Sequence, residues 1–382
     1  MKTNQKKFNV RKIKVIDDSN PVFVVNQKYL AYTDKSKSSF KVCSLKGEVI
    51  EEYAAKKGAL SYSLLSEPEK LVWTHIMDDQ GLFHLVVFSD NHFQVKEESY
   101  AFLKYLPEDH SSYERIVKDE QKVYRKRDAD KKVIWEYPQS AILNLPSLNH
   151  CFFRMKGGIV TLDNHTGQEL WRYSLPEGDF DYIQWPDNKL TSPTIRKIIG
   201  VYREVVWFSL DSGALVGLDV KTGALVKCIV TPDYLDDVRN EEPRENNRGS
   251  FFRDTMLDHE QGVIFTCNGT AYVEVDLNQD SYLCRSWNAV KEFEKQPSYS
   301  EDNHFWVSDI AGWEGNTVYI FDRGMSNCFG AFDRKTRTIL WSKVFDGMKG
   351  SHAINGNSKY SNNHFYIQSA DKKLHIYEIS EV

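Results

Sequence analysis

Four aspartates recur along this chain at nearly fixed intervals: Asp163, Asp219, Asp276 and Asp333 lie 56, 57 and 57 residues apart. Regularly placed carboxylates could ligate a hard cation such as calcium or serve as general acids and bases. Calcium, however, needs several convergent oxygens. The acidic stretches "DFDYIQWPDNK" and "DDVRNEEPRENN" lack the spacing of a known calcium loop. Of the eleven histidines, none belongs to an H-E-x-x-H pattern, and neither a G-x-S-x-G elbow nor a phosphate-binding loop is present. His304 and His364 each precede a strand-like run, where a turn or edge role is the default. The cysteines (Cys43, Cys151, Cys228, Cys267, Cys284 and Cys328) are scattered and show no C-x-x-C spacing. They read as buried, reduced thiols, which points to the cytoplasm. No catalytic, cofactor-binding or metal-binding residue is assigned, and no cofactor is expected.

The elements around the aspartates explain the spacing better. Aligned on them, the chain reads "VTLDNHTGQELW", "VGLDVKTGALVK", "VEVDLNQDSYLC" and "GAFDRKTRTILW". Each aspartate ends one apolar run and follows another ("NHCFFRM", "EVVWFSL", "GVIFTC" and "TVYIF"). A unit is therefore strand, tight turn, strand ending in Asp, "xxTG"-like turn, strand, then a longer link. Asp, Asn and Gly suit such turns because they adopt left-handed backbone angles or bond back to nearby amides. Weaker copies extend outward, in "HFYIQSADKKLHIYEIS" at the C-terminus and in three stretches between residues 29 and 137. The last unit lacks its final strand, which "KFNVRKIKVI" (Lys7–Ile16) would supply by pairing the two chain ends.

These residues resemble the quinoprotein-like, or PQQ-like, β-propeller repeat: an aspartate, a "TG" turn and a strand containing Trp. Asp163, Thr166, Gly167 and Trp171 match in full. Asp219, Thr222 and Gly223 keep the turn but end on Lys227, Asp333 and Trp341 flank a turn without glycine, and Asp276 keeps only the aspartate. The resemblance implies an all-β fold, a β-propeller of eight four-stranded blades (seven as the alternative), closed by the terminal strands. Residues 1–382 then form a single domain, and the matching residues serve blade architecture, with Trp filling space between blades. The resemblance also raises a quinone- and calcium-dependent dehydrogenase. The adjacent cysteine pair found in several such enzymes has no counterpart here, and no local cluster matches their catalytic Asp and Glu/Asn ligands.

Composition narrows the function classes. The chain has 41% hydrophobic and 27% charged residues, with 20 Tyr, 21 Phe and 9 Trp, a strand-favouring balance able to bury a large core. A net charge of −5 without a basic stripe argues against nucleic acid, and no apolar run approaches membrane-spanning length. The basic start "MKTNQKKFNVRKIKVIDDSN" lacks the apolar core of a secretory leader. Links between units project from one face of a repeat fold and carry its variable chemistry. Exposed Trp, Tyr and Arg anchor interfaces, which makes Trp185, Tyr234, Arg239, Arg244, Trp306 and Trp313 the partner-binding candidates. In one link "PDYLDDV" could start a short helix capped by Asp233 or Thr231. The expectation is a monomeric, non-enzymatic module that binds a protein partner, for example a bacterial immunity or adaptor protein. The alternative is an enzyme with a small-molecule site in the central channel.

Overall fold

The structure is a computed structural model. It describes residues 7–17, 19, 23–34, 39–54, 65–66, 72–77, 83–89, 91–99, 103–106, 109–138, 142–147, 149–184, 189–230, 233–234, 251, 254–268, 271–279, 282, 284–288, 309–322, 327–347, 353–354 and 357–382. Among the described residues the regular structure is strand, and the chain divides into two compact units. One comprises residues 103–288, the other residues 1–102 with 289–382.

In the 103–288 unit, the sheet best matched by the repeat is Ile142–Pro146, His150–Met155, Gly158–Asp163 and Glu169–Ser174, paired in that order. All three pairings are antiparallel. The sheet before it runs from Leu103–Leu106 through Ser111–Lys118 and Gln121–Arg127 to Val133–Pro138. The sheet after it runs from Ile195–Tyr202 through Val205–Leu210 and Leu215–Asp219 to Leu225–Ile229. A fourth contains Thr255–Asp258, Val263–Asn268, Ala271–Asp276 and Cys284–Asn288. Its outer strand takes a fifth, parallel neighbour, Asp233–Tyr234. The helix expected at "PDYLDDV" is thus corrected at its first residues: pairing with Arg285 and Ser286 holds Asp233 and Tyr234 extended, and tertiary hydrogen bonding overrides the capping signal.

The other unit repeats the plan. Three of its sheets are meanders of consecutive strands, beginning with Phe23–Val25, Leu65–Ser66 and Asp309–Glu314. The last sheet joins Lys359–Ser361, His364–Gln368 and Leu374–Glu381 to the N-terminal strand Phe8–Ile16, which pairs antiparallel with Leu374–Glu381. One irregularity interrupts that pairing: Lys12 lies opposite Tyr377 and Lys14 opposite Ile376, so Ile13 is a bulge.

Burial follows position within a sheet. The inner strand Gly158–Asp163 is buried along nearly its whole length, because neighbouring sheets cover both of its faces. The outer strand Glu169–Ser174 buries only Trp171 fully and leaves its charged residues in water. Phe152, Ile159 and Trp171 of one sheet pack with Ile198, Val206, Phe208 and Val216 of the next, and the opposite face packs Cys151, Phe153, Val160 and Leu162 against Tyr113, Tyr124 and Trp135.

Candidate functional site

The repeated phrase folds into a self-contained turn. Asp163 Oδ1 accepts the backbone N–H of His165 (2.9 Å) and Thr166 (2.7 Å) and the Thr166 hydroxyl (2.9 Å). These donors, first the Thr166 amide, hold the Asp163 carboxyl below its ordinary range despite some desolvation. Asp219 does the same with Lys221, Thr222 and the Thr222 hydroxyl at 2.8–3.0 Å. Asp333 accepts from Lys335 and Thr336, and Asp276 from the Asn278 amide and the Gln279 side chain. In each turn Oδ1 caps the backbone, so the repeated carboxylate has a local structural role.

The glycine and tryptophan of the phrase act between sheets. Gly167 and Gly223 close their turns at φ +73° and +71°, the left-handed region. A Cβ on Gly167 would lie 2.6 Å from the Trp135 side chain, and one on Gly223 would lie 2.7 Å from the Trp171 ring. Each indole also donates to the carbonyl that follows the aspartate, Trp135 to Asn164 O (3.0 Å) and Trp171 to Val220 O (2.6 Å). The tryptophan of one sheet therefore docks on the turn of the next. Where Lys227 replaces Trp, the following turn at Asp276 also lacks glycine. In the Asp333 turn, Arg337 takes the left-handed position at φ +57°, and Trp341 is buried in the next core.

Two polar clusters carry titratable groups. In the first, Lys126 is only 1% exposed. Its ammonium donates to Asn164 O (3.0 Å), meets Asp109 Oδ2 at 3.3 Å and lies 5.8 Å from the Tyr113 ring centroid. Asn164 Oδ1 accepts from the Tyr113 hydroxyl (2.6 Å) and the Cys151 thiol (2.9 Å). Burial works against the Asp109 charge, but hydrogen bonds from Ser111 and the Lys126 charge outweigh it and keep the carboxyl ionised below its usual range. The two ends of this pair differ in solvent access, with the Asp109 side chain 29% exposed. Lys126→Met should therefore change stability by less than about 1 kcal/mol, whereas Asp109→Ala, which strands the buried ammonium, should cost about 3 kcal/mol. Urea denaturation of both variants checks the asymmetry.

In the second cluster, Ser369 Oγ contacts Asp371 and lies 3.2 Å from His375 Nε2. Serine, histidine and aspartate together suggest acyl transfer, but the order is wrong: both partners bond the serine, and no carboxylate orients the imidazole. Ser369 is also fully buried. His375 packs edge-on against Phe345 at 4.8 Å, and its Nδ1 is buried without a hydrogen-bond partner. Burial first, then the charges of Lys12 and Lys373, lower its pKa, with Asp371 and Asp346 opposing. The unfolded chain takes up this proton near the ordinary value of 6.5, the folded protein only at lower pH. Stability attached to neutral His375 is thus present above pH 6.5 and lost as pH falls through the folded value. Melting temperature should decline below pH 6.5 in the native protein and decline less steeply in His375→Gln.

Burial acts on two thiols in the same way. All six cysteines are free, and burial pushes Cys43 and Cys228 up to about 11. Among the described residues no group of three or more His, Cys, Asp or Glu could hold a metal, and no helix is long and apolar enough to cross a membrane.

The partner-binding candidates are mostly out of view: Trp185, Arg239, Arg244 and Trp306 lie outside the described residues. Tyr234 is in the parallel strand beside Cys284–Asn288. Trp313 is half-buried in the first strand of its sheet, opposite Val318. Nothing in the described structure brings these residues together. The basic run "NVRKIKV" in the N-terminal strand is a charge signal that residue type alone does not assign to a site.

The family described as outer membrane protein assembly factor BamB matches residues 112–328, more than half of the chain. The chain belongs to this family. No curated protein matches it significantly in sequence. Among solved structures, BamB from Moraxella catarrhalis is similar with a TM-score of 0.53 at 12% identity, over 97% of this chain and 100% of that one. The computationally designed Ika8 protein aligns with a TM-score of 0.53 at 11% identity, over 96% and 98% of the two chains. Quinohemoprotein alcohol dehydrogenase from Comamonas testosteroni aligns with a TM-score of 0.52 at 10% identity, over 97% of this chain and 76% of that one. At these identities the likeness establishes the fold: this BamB-family chain is a β-propeller of PQQ-like repeats, and its four-stranded sheets are the blades.

Proposed function

We propose that this BamB-family protein is a non-enzymatic scaffold that binds a protein partner, built as one eight-bladed propeller of residues 1–382 and closed by the Phe8–Ile16 strand. The observation that carries this reading is how the repeated residues are used. Asp163, Thr166, Gly167 and Trp171, with their copies, are engaged in capping turns and docking one sheet on the next. The family's printed description, an assembly factor, supports a role in bringing proteins together. Blades held by such internal joints leave the links free to vary, and the partner face is assigned to them, with Trp185, Tyr234, Arg239, Arg244, Trp306 and Trp313 as its anchors. An immunity or adaptor protein covering an effector is one concrete form. Six free cysteines support residence in the reducing cytoplasm, with the protein itself monomeric.

Affinity capture on the tagged full-length chain from its native host, followed by mass spectrometry and crosslinking, tests the reading. A stoichiometric protein partner crosslinked to the links supports it. Absence of a partner, together with turnover of a small substrate, overturns it.

A further inference from the structure

The N-terminal strand builds a groove that the repeat does not account for. Arg11, Lys12, Ile13, Lys14, Lys46, Glu48 and Glu378 line an open cavity of about 440 Å³. Consecutive residues of a regular strand point to opposite faces, so at most alternate ones line any one groove. Residues 11 to 14 all contribute atoms to this one, beside the bulge at Ile13, which breaks the alternation at one point and bends the strand. The far wall is the turn at Gly47, with φ +81°. A Cβ there would meet Ile376 at 2.8 Å and the Lys14 stem at 3.1 Å, and Lys14 Nζ donates to Gly47 O at 2.7 Å.

The charge of the groove is opposite to that of the chain. Its lining holds four cations and two carboxylates, in a protein with a net charge of −5. Two of the cations have partners outside the lining, Lys14 at Gly47 O and Lys12 at Asp346 Oδ1, 2.6 Å away. The other two, Arg11 and Lys46, converge on a single carboxylate, Glu378, at 2.9 and 3.5 Å. Both remain largely in water, with side chains 68% and 61% exposed. With Lys12 neutralised by Asp346, three cations (Arg11, Lys14 and Lys46) face two lining carboxylates (Glu48 and Glu378), which leaves a net positive charge and unused guanidinium donors at the cavity. A guanidinium accepts a further carboxylate in a planar fork.

We infer that this groove docks an acidic, extended peptide segment of a protein partner. The groove is separate from the link-borne face, and its assignment rests on the reading that the protein binds other proteins. The strand direction of Phe8–Ile16 and the bulge give the peptide a defined track, and Arg11 and Lys46 take one of its carboxylates while Glu378 keeps them oriented.

The test is fluorescence anisotropy of a fluorescein-labelled oligoglutamate peptide titrated with the full-length protein at low salt (about 20 mM), repeated at about 150 mM. Saturable binding is expected, weakened by salt, and at least about tenfold weaker for Arg11→Glu/Lys46→Glu. A Gly-Ser peptide of equal length should not bind. Lys131→Glu/Lys132→Glu, which reverses two exposed lysines on another sheet, should leave affinity unchanged. Circular dichroism melts confirm that both double variants are folded. No binding by the native chain, equal loss in both double variants, or displacement of the peptide by inorganic phosphate at matched ionic strength would each overturn the inference. If affinity capture returns a partner while oligoglutamate fails to bind, the groove inference falls and the scaffold reading stands. If oligoglutamate binds but capture returns no partner, the scaffold reading is the one in doubt.

Discussion

Trp171→Ala should destabilise the protein by about 3–5 kcal/mol, the range for emptying a buried tryptophan site. The indole is 8% exposed and sits among Phe152, Ile198, Phe208 and Val220, residues drawn from two sheets. It also donates to Val220 O at 2.6 Å, so truncation removes a hydrogen bond as well as packed volume. The two losses can be separated. Trp171→Phe keeps most of the apolar contact but leaves that carbonyl without the indole donor, and should cost about 1–2 kcal/mol. Urea denaturation of the three proteins gives the comparison. A Trp171→Ala loss below that of the Phe variant would mean the site collapses around the smaller side chain and that the joint is weaker than its geometry implies.

Gly223→Ala should be the second most damaging change, by about 2–4 kcal/mol, through strain and overpacking together. Its φ of +71° disfavours any side chain, and the added Cβ would lie 2.7 Å from a ring pinned by its own hydrogen bond. Gly178 provides the control, because it has φ +85° but nothing within 4 Å of an added Cβ. Gly178→Ala should show the backbone cost alone, about 1 kcal/mol. The steric part is also separable by a double-mutant cycle. In a Trp171→Ala background the Gly223→Ala cost should fall to the level of the control, a coupling of at least about 1 kcal/mol. Strict additivity would show that the clash is relieved by backbone movement instead.

Much of the fold was legible because the repeat is written in turn chemistry. Asp, Thr and Gly mark turns whatever their surroundings, and the apolar runs between them have strand length and strand composition. What was not legible depends on partners far away in the chain. The tryptophan could be read as inter-blade packing, but not that Trp135 lands on Gly167 and Trp171 on Gly223, since those pairs span separate copies of the phrase. "VYRKRDADKKVIWEY" reads as one more turn and a Trp-ended strand, but its Lys126 is buried by the turn of the following sheet, which the local sequence does not contain. The capping signals around Asp233 are real, but a strand from fifty residues further on pairs with that segment. For the binding face, residue type was the only signal. Type alone says that Trp, Tyr and Arg can anchor an interface, not which of them share one. The groove at Arg11 and Lys46 is not legible in the sequence because it depends on the register between the chain ends, which neither end encodes alone.

The joint between sheets has a direction, and direction has a consequence for broken molecules. Cutting the chain after Glu169–Ser174 would leave one fragment ending in the bare indole of Trp171 and another beginning with the glycine-backed receptor at Gly223. Those two ends fit each other, so the halves of a nicked chain should find one another again and rebuild the native joint. A chain terminated at the same place has no such rescue, because it carries the indole and lacks its receptor.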